Sequence, residues 1–215
     1  MEMQKEATTR PQTQRATAPN QNQNVEQKIQ KLREFYADAP DLGKVALEKM
    51  LPDLKREAVA ATEAQSAGRI GGRQGKVSEL TVISPFTKGG AKRLRALLQL
   101  LQGQFQGADA VGTLQDTRFV FLDNDTKLLF ATAYDGDWDA YIEDFATKIP
   151  IAMDVLFCNF EGWPGIRSPK VKDWIVEHQV AAESWYVANP NLTVAEVRRL
   201  ERVGKAVEEL LDKIG

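Results

Sequence analysis

The stretch from residue 80 to residue 160 constrains the fold most, because its apolar spacing alternates between the patterns of strands and helices. Residues 80–86 are rich in β-forming side chains, which predicts a strand that stops at Pro85. Two glycines then precede residues 91–105, where leucines recur at helical spacing. Residues 118–123 and 127–134 are two short apolar runs joined by a polar turn, which predicts a β-hairpin.

The remainder of this stretch predicts one more helix and one more strand. Trp138 and Phe145 lie on one helical face, behind aspartates that suit a helix N-terminus. Residues 153–160 form a short, continuous apolar run, which is typical of a buried strand. The resulting order is β-α-β-β-α-β with an antiparallel sheet. This α+β arrangement is the ferredoxin-like fold.

The composition divides the chain into four segments. Residues 1–24 contain no aromatic or branched aliphatic side chain, so we expect a disordered tail. Residues 25–66 carry two helical patterns and are predicted to form an N-terminal helical arm. Residues 67–78 are a Gly-rich basic loop, and residues 79–215 are the ferredoxin-like domain with its C-terminal extension.

The C-terminal extension is predicted to hold a helix, a strand and a final helix. Residues 170–179 have helical spacing, and residues 181–189 are rich in β-formers. Thr193 and Glu196 have the spacing of a capping box, which marks the start of the last helix. The apolar stripe of that helix is expected to be buried; it comprises Val197, Leu200, Val207, Leu211 and Ile214.

The chain contains a single cysteine and a single histidine, and these low numbers exclude several classes of site. The chain has one cysteine, Cys158, which excludes an internal disulfide, and the apolar run around it predicts a buried, inert thiol. It has one histidine, His178, which excludes a metal site built from two histidines of one chain. The sequence has no membrane-length apolar stretch and no secretory signal pattern, so we expect a cytoplasmic protein without a membrane partner.

Charge is balanced overall but unevenly placed. The formal net charge is −2, which does not favour a nucleic-acid partner. Residues 68–95 hold seven basic side chains against one acidic, and residues 123–144 hold seven acidic against one basic. These opposite blocks are expected either to pair within one subunit, to pair across a homodimer, or to remain two solvated faces. No aromatic residue separates the cations of the Gly-rich loop, which further argues against nucleic-acid binding.

Three segments carry a resemblance to a known family. They are TRFVFLDNDTKLLFATAYDGDWDAYIEDF at 117–145, VLFCNFEGWP at 155–164 and WYVANPNLTV at 185–194. The YDG-x-W-x-x-Y-x-x-DF core resembles a group of bacterial proteins of unassigned activity in the dimeric α/β-barrel superfamily, and the resemblance covers residues 80 to 200. It implies a homodimer in which two sheets pair into a barrel. Arg118 matches the family pattern, whereas Gln115 stands where the pattern has a histidine.

The resemblance and the predicted strand positions together suggest a ligand site. Members of the superfamily include haem peroxidase relatives, cofactor-free monooxygenases and proteins that only bind, so the fold does not select one activity. We expect a pocket for a small apolar molecule between the sheet and the helices. Its apolar lining is predicted to include Phe119, Phe121, Phe130, Trp163 and Trp185, and its orienting polar groups are predicted to be Arg118, Tyr134 and Tyr186.

Three functional hypotheses follow from these patterns. The first is a binding protein for a small apolar molecule. The second is an oxidative enzyme, either cofactor-free or haem-dependent with His178 as the axial ligand and with Arg118 as a further catalytic candidate. The third is a protein-protein interaction module that uses the N-terminal tail and the basic loop.

Overall fold

The computed structural model describes residues 21–60, 65–101 and 106–214, and it divides into two compact units, Met1–Glu63 and Ala64–Gly215. In the first unit, α1 (Gln21–Phe35) and α2 (Asp41–Ala60) are the two predicted helices. They contact each other through an apolar cluster: Val25, Ile29, Leu32, Leu47, Leu51 and Leu54. Residues 1–20 of the predicted disordered tail lie outside the described residues. Residues 21–24 were also assigned to that tail, but they are helical because α1 begins at Gln21.

The second unit is built on a five-stranded antiparallel sheet. Its strands are β1 (Gln65–Ser66), β2 (Gly72–Gln74), β3 (Val77–Pro85), β4 (Leu114–Leu122) and β5 (Lys127–Asp135), in the order β1-β2-β3-β5-β4. The first predicted strand and the predicted hairpin are therefore present. β5 lies between β3 and β4 and is antiparallel to both, so β3 and β4 are parallel to each other and separated by one strand.

Among the described residues of the second unit, six helices accompany the sheet. They are α3 (Gly90–Leu101), α4 (Gln106–Val111), α5 (Trp138–Lys148), α6 (Pro150–Phe157), α7 (Val171–His178) and α8 (Val194–Ile214). Alternate residues of β3 and β5 point to one face of the sheet and form the main core with the helices. Trp138, Tyr134, Tyr141, Leu80 and Leu94 are the largest fully buried side chains of this core. The α+β class predicted from the sequence is confirmed.

The predicted strand at residues 153–160 is wrong, because most of that segment is α6. Pro150 occupies the first turn of the helix, where a backbone N–H has no acceptor within the helix, so the N–H that proline lacks costs no hydrogen bond. Met153, Leu156 and Phe157 are buried at helical spacing, while Val155 is about half exposed. Only the end of the segment meets the sheet, where Phe160 forms an isolated bridge with Phe86.

The predicted strand at residues 181–189 is also wrong, since none of these residues is in a strand. The segment starts beside β3, where the Val180 amide donates to the Thr81 carbonyl over 2.9 Å. Farther on, its backbone is held by side chains: the Ala182 amide donates to the buried Glu79 carboxylate. The fourth strand of the predicted ferredoxin-like order was the one at residues 153–160, and because most of that segment is α6, the ferredoxin-like topology is not confirmed.

The final helix begins as predicted but is not buried as predicted. The Glu196 amide donates to Thr193 Oγ1, and the Thr193 amide donates to Glu196 Oε2, which is the reciprocal capping box. A hydrogen bond from Lys76 and those from Thr193 lower the pKa of Glu196 to about 2. Beyond this first turn, every residue from 199 to 214 is exposed, including the stripe from Leu200 to Ile214 that was expected to be buried.

Candidate functional site

An apolar cavity of about 680 Å³ lies between the sheet and helices α3 to α6. β4 and β5 form its floor through Leu114, Thr117, Phe119 and Phe130. Residues of the four helices and of the junction between α5 and α6 form its walls: Leu97, Leu100, Leu101, Gly107, Ala108, Phe145, Ile149, Ile151, Ala152, Met153, Val155, Leu156 and Phe157.

The local sequence explains why these elements enclose a space. Alternation along β4 directs Thr117, Phe119 and Phe121 to one sheet face, whereas Arg118 and Val120 point to the other. The leucine stripe of α3 and the buried stripe of α6 face the same region. Leu100 and Ile151 line the cavity and are themselves 80% and 79% exposed, so the cavity reaches the protein surface beside them.

The side chains that line the cavity carry almost no polar groups. None of the described residues that line the cavity carries a charge, and Thr117 is the one hydroxyl among them. The Thr117 hydroxyl is buried and has no hydrogen-bond partner within the described ranges. A buried hydroxyl without a partner carries an energetic cost, but this oxygen exposes almost no surface to the cavity, so the accessible lining is apolar. The site therefore suits a neutral, largely apolar molecule.

Two of the eight predicted ligand-binding residues line this cavity. Phe119 and Phe130 lie side by side on the floor, with ring centroids 5.1 Å apart. Phe130 also meets Phe157 edge to face, with centroids 5.2 Å apart. The structure therefore places these two hairpin aromatics at the cavity, and their role in ligand binding stays a prediction.

The predicted aromatic residues Phe121, Trp163 and Trp185 lie elsewhere. Phe121 stacks on Phe86 beneath the Arg95 guanidinium, which is 4.3 Å from the ring centroid. Trp163 packs against Phe157 and donates its indole N–H to Asp154 over 3.0 Å. The carbonyl of Trp185 accepts a hydrogen bond from the Gln74 side chain at the β2 edge.

The three predicted polar groups also lie outside the cavity. Arg118 is exposed and pairs with Asp116 over 3.0 Å, on the face that alternation turns away from the cavity. Tyr134 is fully buried and stacks on Tyr141 with ring centroids 3.9 Å apart, and burial raises the pKa of its hydroxyl. Tyr186 is 87% exposed. These residues do not converge on one ligand.

The helical walls of the cavity were missed in the sequence. Met153, Leu156 and Phe157 were assigned to a strand, which hid their position opposite the leucines of α3. The spacing of three and four residues between apolar side chains, starting after Pro150, is the signal that identifies this helix. Ala108 was not singled out, because a small side chain gives no periodic signal.

His178, the candidate haem ligand, does not lie among the residues that line the cavity. Its ring stacks on Trp174 with centroids 4.3 Å apart, and its Nδ1 is 2.8 Å from the Trp174 carbonyl. This arrangement satisfies a half-buried histidine at a helix C-terminus. Among the described residues, no group of three His, Cys, Asp or Glu side chains is placed to hold a metal ion.

The opposite charge blocks pair within one subunit. Arg69 lies 3.0 Å from Asp139, Arg73 lies 2.7 Å from Asp137, and Arg95 lies 2.6 Å from Asp125. Hydrogen bonds from Lys172 and then Arg69 lower the pKa of Asp139. The basic loop's Arg69 and Arg73 therefore pair with acidic side chains of the same unit, and the recruitment of a protein through this loop stays a prediction.

Cys158 was expected to be buried, and this expectation is wrong. It follows the last turn of α6 on the side opposite Leu156 and Phe157, and it is exposed. Its Sγ donates a weak hydrogen bond to the Val155 carbonyl over 3.4 Å. The apolar run that suggested burial is a helix with one buried face, so its outward positions are solvated.

Comparisons with known proteins assign neither a family nor a function to the chain. No helix within the described ranges combines the length and apolar character needed to cross a membrane. The resemblance to the dimeric α/β-barrel superfamily remains a prediction, together with the barrel-forming homodimer that it implies. No protein-family model matches the chain, and neither the curated proteins nor the solved structures contain a significant match.

Proposed function

We propose that this protein binds a small, neutral, largely apolar molecule in the cavity between the sheet and helices α3 to α6. The observation that carries the proposal is the cavity itself, whose volume of about 680 Å³ falls within the usual range of small-molecule sites. Its lining is aliphatic and aromatic, so transfer of an apolar ligand from water releases free energy in proportion to the area buried.

The lining also favours one class of ligand. No lysine or arginine among the described residues lines the cavity, so a carboxylate or phosphate would enter it without a counter-charge. Thr117 is the one hydroxyl residue among the described lining residues, and its oxygen is itself buried and exposes almost no surface to a ligand. The favoured ligand is therefore neutral, with a predominantly apolar body.

A fluorescent probe tests the proposal on the full-length protein. N-phenyl-1-naphthylamine is neutral and apolar, and its emission rises in an apolar environment. We expect saturable binding of this probe, and displacement by 1-decanol at a concentration about tenfold lower than by decanoate, a ratio that corresponds to roughly 1.4 kcal/mol. Decanoate that displaces the probe as well as decanol does would contradict the neutral ligand class.

Filling the cavity is expected to weaken probe binding. Ala108 on α4 lines the cavity, so Ala108→Leu places a larger apolar side chain inside it without introducing polarity. We expect the dissociation constant of the probe to rise by about tenfold or more, measured by fluorescence titration. Unfolding in denaturant shows whether the variant keeps its fold.

The matched control for this variant is Ala110→Leu. Ala110 lies on the same helix but is exposed and does not line the cavity. It makes the same change of side chain outside the proposed site, so probe affinity is expected to stay at the wild-type value. Equal probe affinity of the two variants and the wild type would show that the probe binds elsewhere and would overturn the proposal.

A further inference from the structure

A second, smaller apolar space lies beside the cavity, deeper in the core of the sheet unit. It is a void of about 10 Å³, close to the smallest space that holds one water molecule. Eight of its nine lining residues are buried, and all nine side chains are aliphatic, aromatic or thioether. The indole N–H of the ninth, Trp163, already donates to Asp154. A void with such a lining stays dry and accepts apolar atoms.

The strand order explains why the two spaces adjoin. Phe130 on β5 is the register partner of Phe119 on β4 and of Val82 on β3, so these three residues form one row across the sheet. Phe119 lines only the cavity, Val82 lines only the void, and Phe130 lines both. The void is therefore the continuation of the cavity across the same sheet face, from β4 and β5 towards β3.

A partition of four described residues separates the two spaces, because these residues line both. Phe157 contacts three other rings at centroid distances of 5.0 to 5.5 Å, and the ring of Phe145 lies 4.4 Å from that of Tyr141. Moving any of the aromatic members would break such ring contacts. The four residues of the partition are Phe130, Phe145, Met153 and Phe157.

Met153 is the member of the partition that is not a ring. It lies on α6 and is 5% exposed. Its side chain is unbranched and has three rotatable bonds, so it fills an irregular gap without a fixed stacking geometry. Shortening Met153 thus removes material from the partition while the three rings keep their contacts.

We propose that Met153 forms the inner end of the ligand cavity and determines how far a bound molecule reaches towards β3. This inference rests on the proposed function, since it assigns a specificity-determining residue to the same cavity. In the wild type the ligand stops at the Met153 side chain, and the void behind it stays empty. A shorter side chain at this position joins the two spaces, and the site then accepts a longer apolar body.

Nuclear Overhauser effects between bound N-phenyl-1-naphthylamine and protein methyl groups test the role of Met153 directly. Val82 and Ile175 line the void but not the cavity, so their methyl groups report entry of the probe into the void. In the wild type we expect effects at the Met153 methyl group and none at Val82 or Ile175. In Met153→Ala we expect new effects at both residues, with far-UV circular dichroism showing that the variant is folded.

Leu156→Ala is the matched control. Leu156 is buried on the same helix and lines the cavity but not the void. Replacing it by alanine removes the same number of heavy atoms as Met153→Ala does, but from a wall that does not border the void. The probe affinity of this variant is free to change, because Leu156 lines the site. Effects at Val82 and Ile175 are expected to stay absent.

The length of a competing alcohol gives a second readout. 1-Dodecanol has two more methylene groups than 1-decanol, and each methylene that becomes buried strengthens binding about fourfold. We expect the preference for dodecanol over decanol, measured by displacement of the probe, to be at least about fourfold larger in Met153→Ala than in the wild type. Met153→Val is a smaller truncation that disturbs the core less, and it is expected to change both readouts in the same direction by less.

Failure of this inference differs from failure of the proposed function. A wild-type protein without saturable probe binding, or with effects only outside the cavity, would overturn both. Effects at Ile149 and Leu156 in the wild type, without new effects at Val82 and Ile175 in either Met153 variant, would support the proposed function and overturn the role of Met153.

Three further results would overturn the role of Met153 alone. Effects at Val82 or Ile175 in the wild type would show that the cavity does not end at Met153. The same effects in Leu156→Ala would show that any loss of volume on α6 admits the probe to the void. An unchanged preference between the two alcohols in both Met153 variants would show that this residue does not limit ligand length.

Discussion

Trp138→Ala is expected to lower the free energy of unfolding of the sheet unit by about 3 to 5 kcal/mol, the usual cost of removing a large buried aromatic side chain. Trp138 is fully buried, and its indole N–H donates to Gln179 over 2.8 Å. Gln179 in turn donates to the Ile70 carbonyl, so this tryptophan connects α5, the end of α7 and the Gly-rich loop. Chemical denaturation followed by far-UV circular dichroism measures the loss.

Trp138→Phe separates packing from hydrogen bonding. It keeps most of the buried ring but leaves the Gln179 side-chain oxygen without its donor, for which we expect a loss of about 1 to 3 kcal/mol. Trp138→Ala should therefore be the more damaging of the two variants. An alanine variant as stable as the wild type would mean that α5 does not dock on the sheet as described.

Gly90→Ala is expected to lower the free energy of unfolding by about 1 to 3 kcal/mol, as overpacking does in a close-packed region. A Cβ at Gly90 would lie 2.3 Å from the Asn159 carbonyl oxygen. That oxygen also accepts a hydrogen bond from the Thr87 amide over 2.9 Å. The substitution would thus displace the segment after α6 from the end of β3, and thermal unfolding would report the change.

Gly204→Ala is the control for the change from glycine to alanine. Gly204 is in α8, and a Cβ there would meet no atom within 4 Å. The midpoint of the sheet unit is expected to be unchanged, because alanine is the better helix former and nothing is displaced. Equal midpoints for the two variants would contradict the close approach between the start of α3 and residue 159.

The elements that the sequence predicted correctly are those whose pattern is local. The strand that ends at Pro85, the hairpin across residues 123–126 and the capping box at Thr193 each depend on neighbouring residues. The turn of the hairpin has positive φ angles at Asp123, Asn124 and Asp125, residue types that tolerate this conformation. Such elements are specified largely by interactions between residues that are close in sequence, which is why the sequence predicts them.

The elements that were predicted wrongly are those that tertiary contacts decide. The run at 153–160 is apolar enough for either state, and its helical spacing was outweighed by its β-forming composition. The segment at 181–189 has the composition of a strand, but the Glu79 carboxylate and the Gln74 side chain bind its backbone instead. Neither side-chain contact is visible in a local pattern.

The sequence placed residues at the cavity only where the alternation of a strand determines which face of the sheet a side chain takes. Phe119 and Phe130 follow from the alternation of β4 and β5, and both line the cavity. Tyr134 also follows from that alternation, but the stacking of Tyr141 over it closes that end of the sheet face. The helical wall includes residues of α6. Because this segment was predicted to be a strand, its residues were not predicted to line the site.

The most direct test of the account locates N-phenyl-1-naphthylamine on the protein. Methyl-labelled full-length protein with the bound probe gives nuclear Overhauser effects between probe protons and nearby methyl groups. We expect these effects at Ile149, Met153 and Leu156, which line the cavity. Effects confined to methyl groups outside the cavity, such as those of Leu210 and Leu211 on α8, would contradict the proposed binding site.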